Sequence, residues 1–149
     1  MKVIEVDSKN RELIQKIYQN EIDSFGIMGG ADMWMIMSFI RYGKLYVLLD
    51  ELGKLLSVAQ YQAVLGKDAV FLYGFSTPKV ERGKGYGKKL LEATHNQLKN
   101  IGIKMIYLTV DPKNTIAISM YEKAGYKIEE LQKDEYGIGI DRYLMVKIF

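Results

Sequence analysis

A glycine-rich segment that leads directly into a helical pattern is the part of the sequence best suited to chemistry. Gly83, Gly85 and Gly87 alternate with other residues, and an apolar helical pattern begins at Leu90. Glycines at this spacing let the chain adopt positive φ, so that successive N–H groups can point into one concavity. The first turn of the helix adds unpaired N–H groups and the positive end of its dipole. We therefore expect a phosphate or pyrophosphate to bind here.

Basic side chains crowd the same segment, as an anion site requires. Four of them lie within eight residues: Arg82, Lys84, Lys88 and Lys89. Two known phosphate motifs do not fit, because a Walker sequence needs Ser or Thr after its Lys and the dinucleotide fingerprint needs a third glycine at position 88. A tight loop with solvated lysines is the alternative that this segment leaves open.

Length and composition limit the class of protein. The chain has 149 residues, of which 48% are hydrophobic and 26% are charged, and this predicts one folded domain over residues 1–149. The absence of cysteine excludes disulfides, thiolate metal sites and a cysteine nucleophile. No signal-like segment and no apolar run of roughly 20 residues is found, so we expect a cytoplasmic protein without a membrane partner. A net charge of +3 is too small to indicate nucleic acid.

The elements that position the glycine-rich segment begin with a strand and two helices. Alternation over residues 2–6 predicts the strand, and Ser8 can cap a helix that runs to about Asn20. Residues 21–42 predict a loop and then a second helix capped by Asp32. Because that helix is apolar on more than one face, we interpret it as buried or packed against a partner.

A series of strands surrounds the glycine-rich segment. Residues 45–50, 55–64 and 69–76 are apolar runs separated by short turns, which predicts three antiparallel strands. After the helix that follows the glycines, residues 103–110 form an apolar run typical of a central strand.

The last part of the chain predicts a helix and two strands. Asn114 can cap the helix, Gly125 ends it, and residues 126–130 and 138–149 read as closing strands. The predicted order is β-α-α-β-β-β-α-β-α-β-β. This order indicates an α/β (α+β) fold with a central mixed, mostly antiparallel sheet flanked by helices.

Two stretches together resemble a known family. The first is RGKGYG at residues 82–87, and the second is NTIAISMYEKAGY at residues 114–126. They match the R/Q-x-x-G-x-G/A and N-x-x-A-x-x-x-Y-x-K-x-G-F/Y motifs of the GNAT family of N-acetyltransferases. The resemblance is close over residues 69–128 and extends to the element order elsewhere. It implies a GNAT-like fold and an enzyme that uses acetyl-CoA as co-substrate.

The resemblance also implies where acetyl-CoA binds. Its pantetheine arm would lie in a gap between strands 69–76 and 103–110 and pair with the backbone near Phe75, Ser76 and Thr77. The residues implied around the pyrophosphate are Arg82, Gly83, Lys84, Gly85, Tyr86, Gly87 and Lys88. Asn114 would hydrogen-bond near the cofactor arm, and a role as helix N-cap alone is the alternative.

Tyr121 is the candidate general acid. Transfer to an amine needs a neutral nucleophile, a polarised thioester carbonyl and a proton for the departing thiolate. A phenol with a pKa of about 10 is protonated at neutral pH and can supply that proton. The backbone N–H of Phe75 or of a neighbour would stabilise the oxyanion. The alternative for Tyr121 is a core tyrosine on the buried face of its helix.

The sequence does not identify a general base. Residues 69–76 contain no carboxylate, so a water chain, a backbone carbonyl or Tyr73 would serve, or the amine would arrive neutral. His95 is the single histidine and lies beside the polar positions 96 and 99, which predicts a surface residue. No metal is expected, because a metal site needs several ligands.

Residues 21–42 and 131–141 would surround the acceptor amine. Acidic residues there could attract a cationic amine, and aromatic residues could pack against its stem. These residues are Glu21, Asp23, Asp32, Asp134, Glu135, Asp141, Phe25, Trp34 and Tyr42. We predict a primary amine acceptor, such as a polyamine, an aminoglycoside or a peptide amino terminus. A solvated acidic loop is the alternative.

Two rival functions use the same features. One is an acyl-CoA-binding sensor without turnover, which the presence of both Asn114 and Tyr121 disfavours. The other is a nucleotide-phosphate binder, which the missing Ser/Thr and metal carboxylates disfavour. The apolar second helix and the last strand leave room for a homodimer.

Overall fold

Seven strands and four helices make up the computed structural model, which describes residues 1–149. The strands are β1 Lys2–Glu5, β2 Lys44–Leu49, β3 Leu55–Ala63, β4 Ala69–Ser76, β5 Met105–Val110, β6 Lys127–Gln132 and β7 Arg142–Ile148. The helices are α1 Arg11–Phe25, α2 Met33–Tyr42, α3 Tyr86–Asn100 and α4 Thr115–Lys123. A 3-10 turn, Lys79–Glu81, lies between β4 and α3. None of the four helices combines the length and the apolar character needed to cross a membrane.

The strands form one sheet in the order β1-β2-β3-β4-β5-β7-β6. Every neighbouring pair is antiparallel except β4 and β5, which run parallel. The single parallel pair arises because α3 carries the chain from the end of β4 back to the start of β5. The predicted element order and the mixed, mostly antiparallel sheet are confirmed.

Two apolar cores lie on opposite faces of the sheet. On one face, α1 and α2 bury Ile14, Ile17 and Ile36 against β2 and β3. On the other face, α3 buries Leu90 and Leu98, and α4 packs beside it. Strands β2 and β3 contact both cores, which explains why their sequences are nearly continuous apolar runs.

Helix α1 differs from its prediction at both ends. Asn10, not Ser8, caps the helix, since its side chain accepts a hydrogen bond of 3.2 Å from the N–H of Leu13. The start moves because Asp7 first forms a local turn with the N–H of Lys9. The helix also continues to Phe25 instead of ending near Asn20. The prediction that residues 21–25 form a loop is therefore wrong, and this places Glu21 on the buried side of the helix.

The other boundaries agree better with the sequence. Asp32 caps α2 as predicted, but only Ile36 and Phe39 of that helix are buried, while Trp34 is 87% exposed. Strand β7 begins at Arg142 and not at residue 138, because Asp134 and Asp141 form a side-chain network with loop backbone instead. The loop between β6 and β7 therefore covers residues 133–141.

Candidate active site

A wedge-shaped gap opens between β4 and β5. The two strands pair only over Ala69 to Phe71 on β4 and Met105 to Tyr107 on β5. Beyond this point, β4 stays paired with β3 and β5 stays paired with β7, so the facing edges separate. Unpaired strand edges present free N–H and C=O groups, and an extended ligand can pair with them.

A bulge lies on β4 where the gap begins. Leu72 pairs with Tyr61 and Gly74 pairs with Gln60, so Tyr73 is an extra residue without a partner on β3. A bulge twists the strand and redirects its side chains and amides. The Tyr73 side chain consequently faces α2, with its ring 5.0 Å from that of Phe39.

The glycine loop, residues 82–87, leads from the 3-10 turn into α3. Gly83 and Gly85 have φ of 77° and 81°, in the left-handed region that favours glycine. Gly85 is the N-cap and has no side chain to satisfy the first turn. The N–H groups of Tyr86, Gly87 and Lys88 therefore find no acceptor in the protein. Free amides and a helix dipole in this arrangement can bind an anion.

Gly87 brings this helix end against the last residues of β4. A Cβ atom at Gly87 would lie 3.3 Å from ring atoms of Phe75 and 3.4 Å from Oγ1 of Thr77. Only a residue without a side chain allows this close approach without displacing its neighbours. The free amides of α3 thus lie at the open end of the gap.

Two predicted cofactor-binding side chains have partners within the protein. Nε of Arg82 donates a hydrogen bond of 3.0 Å to the carbonyl oxygen of Thr77. Nζ of Lys84 lies 2.9 Å from Oε2 of Glu81, and Nζ of Lys54 binds the other oxygen of Glu81. These hydrogen bonds hold the pKa of Glu81 below its ordinary value. The side chains of Arg82 and Lys84 therefore stabilise the glycine loop, whereas the backbone amides of this loop remain free.

Tyr121 projects from α4 towards the gap. It is 8% exposed, and its ring centroid lies 6.3 Å from that of Phe75 and 5.6 Å from that of Tyr126. Its hydroxyl forms no hydrogen bond with the protein, and burial raises its pKa above the ordinary value. The phenol is therefore protonated at neutral pH, and its O–H is free to donate to a ligand.

Asn114 lies at the N-terminus of the same helix. Its Oδ1 accepts a hydrogen bond of 3.1 Å from the N–H of Ala117, so the predicted N-cap is present. The side-chain nitrogen has no partner and the residue is exposed. Capping therefore leaves one donor of Asn114 available to a ligand.

The buried carboxylate of Glu21 is a candidate that the sequence analysis did not identify as a base. Glu21 is 2% exposed, accepts a hydrogen bond of 3.0 Å from the N–H of Ala31, and accepts another of 2.9 Å from Nε2 of Gln60. Burial raises the pKa of Glu21, although these hydrogen bonds oppose the shift. The sequence does indicate that Glu21 is buried, because Glu21 continues the i, i+4 spacing of Leu13 and Ile17 on the buried side of α1.

The Glu21 network reaches the bulge on β4. Gln60 pairs with Gly74, where a Cβ atom would meet its Nε2 at 2.7 Å, so Gly74 lets this side chain lie against the strand. Next to Glu21, Asn20 donates a hydrogen bond of 2.9 Å to Oγ of Ser76. The buried polar groups of α1 therefore contact β4 on the face opposite Tyr121.

Tyr73 is less suited to act as a base. Burial raises the pKa of its phenol, and Tyr136, Glu21 and Asp32 raise it further. A phenol with a raised pKa holds its proton at neutral pH. Among the alternatives for the base, Glu21 fits better than Tyr73.

His95 is buried, so the prediction that it is a surface residue is wrong. It is 6% exposed, and its Nε2 forms a hydrogen bond of 2.9 Å with the hydroxyl of Tyr126. Burial, with a contribution from Lys147, lowers the pKa of His95 from 6.5 to about 4. The prediction was wrong because His95 lies four residues after Leu91 on the packed side of α3, where Tyr126 satisfies its polar nitrogen.

A cavity of about 400 Å³ lies between α3 and α4, beside the free amides. Lys88 and Lys123 border it, and the exposed side chain of Ile116 forms part of its wall. Glu92 also borders the cavity and its carboxylate lies 3.8 Å from Nζ of Lys88, so Lys123 is the cation here without a carboxylate partner. The apolar part of the wall suits the flat base of a nucleotide.

The model of the family described as "Acetyltransferase (GNAT) family" matches residues 14–126 of the chain. This segment contains the β4–β5 gap, the glycine loop, Asn114 and Tyr121.

Two curated proteins are similar in sequence. The [ribosomal protein bS18]-alanine N-acetyltransferase of Haemophilus ducreyi is 35% identical over 69 residues, which cover 46% of this chain and 48% of that protein. The N-alpha-acetyltransferase of Saccharolobus solfataricus is 40% identical over 67 residues, which cover 44% of this chain and 40% of that protein. The chain thus spans about half the length of the curated relatives it matches.

A solved structure supports the fold over the whole chain. An aminoglycoside 6'-N-acetyltransferase complexed with coenzyme A superposes with a TM-score of 0.84. The match covers 99% of this chain and 97% of that chain at 16% sequence identity. At this identity the similarity shows a shared fold.

Proposed function

Because this chain belongs to the GNAT family of acetyltransferases, we propose that residues 1–149 form one N-acetyltransferase domain. It transfers an acetyl group from acetyl-CoA directly to a primary amine in a ternary complex. The observation that carries this proposal is the β4–β5 gap, which has free helix amides at its open end and an unpaired phenol in its wall.

Acetyl-CoA is proposed to bind along this gap as an added strand. The pantetheine arm would pair with the backbone of Phe75, Ser76 and Thr77, and the pyrophosphate would accept hydrogen bonds from the amides of residues 83–88. Phe75 lies between the parts of this site proposed for the pyrophosphate and for the acetyl group. Its ring lies close to Gly87 on one side and near the ring of Tyr121 on the other. The side-chain nitrogen of Asn114 would donate to the arm, and the α3–α4 cavity would hold the adenosine end.

Tyr121 is proposed to act as the general acid. The amine nitrogen attacks the thioester carbon, the carbon–sulfur bond breaks, and the phenol of Tyr121 donates its proton to the departing thiolate. An N–H group of the β4 bulge would stabilise the oxygen that becomes negative during attack. Its lack of a hydrogen-bond partner in the protein supports this role for Tyr121.

Glu21 is proposed to accept the proton that the amine loses. Its carboxylate lies on the face of β4 opposite Tyr121, so acid and base would flank the reacting carbon. A raised pKa makes a carboxylate a stronger base, which suits removal of a proton near neutral pH. A bound water would carry the proton if the amine does not reach the buried carboxylate.

The acceptor class is proposed from the names of the two curated relatives, a [ribosomal protein bS18]-alanine N-acetyltransferase and an N-alpha-acetyltransferase. We propose a polypeptide amino terminus for this chain as well. An aminoglycoside is the second candidate, because a protein with that activity shares the fold. The cytoplasmic location and the homodimer stay predictions.

A direct assay tests the function. The purified chain is incubated with acetyl-CoA and a panel of peptides, a polyamine and an aminoglycoside, and free thiol is followed while mass spectrometry detects the acetylated amine. We expect thiol release that depends on a peptide. Thermal stabilisation by CoA without thiol release from any amine would support the sensor, and stabilisation by ATP but not CoA would support the nucleotide binder.

A further inference from the structure

A cavity of about 400 Å³ opens on the α1–α2 face of the sheet, and none of the proposed roles uses it. Its walls come from one side of α2, from the end of β3 and from the β4 bulge. We call it the α2 cavity, and its lining residues are Met35, Ser38, Phe39, Tyr42, Gly43, Gln62, Ala63 and Tyr73. Its volume lies within the range of sites that bind small ligands.

Tyr73 links the α2 cavity to the β4 segment where the reaction centre is proposed. This residue is the extra residue of the bulge, two positions before Phe75, and its ring forms the cavity wall with Phe39. The next residue of β4, Gly74, pairs with Gln60, which donates a hydrogen bond to the proposed base Glu21. A group bound in the cavity would therefore lie beside an amine held at the bulge.

The lining of the α2 cavity is mostly apolar, with Ser38 and Gln62 as its polar residues besides two tyrosines, and it carries no ionised side chain. Glu21 accepts hydrogen bonds from Gln60 and Ala31, while Asp32, Asp134 and Asp141 accept hydrogen bonds from local backbone N–H groups. None of these carboxylates lines the cavity. A polyamine or an aminoglycoside would find no free carboxylate in the cavity, whereas an apolar side chain would be buried there.

Two features make the α2 cavity suited to a bulky side chain. Gly43 and Ala63 keep its inner end open, and Gly43 cannot be larger because a Cβ atom would lie 2.1 Å from the carbonyl oxygen of Tyr61. Met35 forms a flexible wall, with its sulfur 3.5 Å from the hydroxyl of Tyr73. The cavity can therefore adapt to long or branched apolar groups.

We propose that the α2 cavity binds the side chain of the first residue of a polypeptide acceptor, and that this residue is bulky and apolar, such as leucine, methionine or phenylalanine. The inference rests on the proposed transfer to a polypeptide amino terminus. It assigns a substrate preference that differs from the alanine named for the first curated relative.

Matched peptides that differ only in their first residue test this preference. The first residue is leucine, methionine, phenylalanine, alanine, serine or lysine, and kcat/KM is measured by thiol release. We expect the three bulky apolar peptides to exceed alanine and serine by at least about tenfold, because even single methylene differences in an apolar pocket are discriminated at that level. Equal values, or a preference for alanine, serine or lysine, would overturn the proposal.

A substitution that fills the α2 cavity provides the second test. Ser38→Trp adds bulk from an exposed position of α2, so the core is not disturbed. We expect the leucine-to-alanine ratio of kcat/KM to fall at least tenfold, with alanine peptides still acetylated. Arg41→Trp places the same side chain at an exposed position of α2 outside the cavity and should keep the wild-type ratio. An unchanged ratio in Ser38→Trp would remove the cavity from acceptor binding.

The outcomes separate this inference from the proposed function. Thiol release without any first-residue preference contradicts only the α2 cavity assignment. Preferred turnover of a polyamine or an aminoglycoside contradicts the polypeptide acceptor and the cavity assignment together, while acetyl transfer itself stands. No thiol release with any amine contradicts the transferase, and the first-residue proposal then fails with it.

Discussion

Glu21 and Gln60 form a hydrogen bond of 2.9 Å in which Nε2 of Gln60 donates to Oε1 of Glu21, and both residues are buried. The other polar atom of that amide, Oε1 of Gln60, has no partner in the protein. A buried carboxylate without a cationic partner is costly to ionise, and groups perturbed in this way cluster at functional sites. This pair connects α1 to the bulge of β4 and underlies the first prediction.

Glu21→Gln should stabilise the protein and impair transfer. The folded pKa of Glu21 is raised, so the folded state holds its proton more tightly than the unfolded state. The wild type therefore loses stability as pH rises from 4.5 through the folded pKa, and the neutral amide removes this loss. We expect a higher Tm at pH 7, and a kcat lower by about a hundredfold or more if Glu21 is the base.

Thermal melts and pH–rate profiles measure both effects of Glu21→Gln. The acid limb of the wild-type kcat profile should be absent in the variant. If Glu21→Gln has the turnover of the wild type, Glu21 is not the base, and its carboxylate serves only to accept hydrogen bonds from Ala31 and Gln60.

Tyr121→Phe should reduce turnover and leave cofactor binding unchanged. The variant keeps the ring contacts with Phe75 and Tyr126 and removes only the hydroxyl, which has no partner in the protein. Loss of a general acid lowers kcat by about a hundredfold or more. Tyr18→Phe, a partly buried tyrosine of α1, is the control and should behave as wild type. Thiol release and the Tm shift with CoA measure the two properties, and unchanged turnover would exclude Tyr121 as the acid.

Gly85→Ala should weaken acetyl-CoA binding by about tenfold or more. Gly85 has φ of 81°, and a side chain there costs about 1–2 kcal/mol in the left-handed region. Relaxation of the loop would also turn the free amides of α3 away from the pyrophosphate, and one hydrogen bond to a charged group contributes about 1.5–3 kcal/mol. Calorimetric titration with CoA measures the affinity.

Gly53→Ala is the matched control for that prediction. Gly53 in the β2–β3 turn has the same φ of 81° and, like Gly85, no atom within 4 Å of an added Cβ. The Gly53→Ala variant should lose about as much stability as Gly85→Ala and keep the wild-type affinity for CoA. Equal affinities of the two variants would contradict the placement of the pyrophosphate.

Lys54→Gln should raise the KM for acetyl-CoA severalfold and leave kcat unchanged. Lys54 and Lys84 together neutralise the buried carboxylate of Glu81 beneath the glycine loop. Without Lys54, Lys84 must compensate Glu81 alone, and the local potential becomes less favourable for a pyrophosphate. Lys16→Gln, which breaks an exposed pair with Glu12, is the control and should have no effect. A wild-type KM in Lys54→Gln would show that this pairing only stabilises the fold.

His95→Gln should make the protein more resistant to acid. Burial lowers the pKa of His95 from 6.5 to about 4, so the unfolded state binds more protons in this range and the wild type loses stability as pH falls. The loss amounts to about 3 kcal/mol between pH 6.5 and pH 4. Glutamine keeps a partner for the Tyr126 hydroxyl without titrating. Urea unfolding at pH 7 and pH 4.5 measures the free energy of unfolding of both proteins. The same decrease of this free energy in wild type and variant would contradict a buried neutral histidine.

The sequence by itself determined the features that depend on neighbouring residues. Helical and alternating periodicities predict the element order, Asp32 and Asn114 are predicted caps, and alternating glycines predict unpaired N–H groups at a helix start. These features follow from backbone conformation and hydrogen bonds within a few residues, which the local sequence encodes.

Only the tertiary structure decided which polar groups are buried together. Glu21 meets Gln60 across 39 positions, and His95 meets Tyr126 across 31. Local sequence does not encode such pairs, because they form only when α1 packs on β3 and α3 packs beside the chain after α4. The width of the gap was likewise decided by where β4 and β5 stop pairing at Phe71, which depends on the bulge and on competition from β3 and β7.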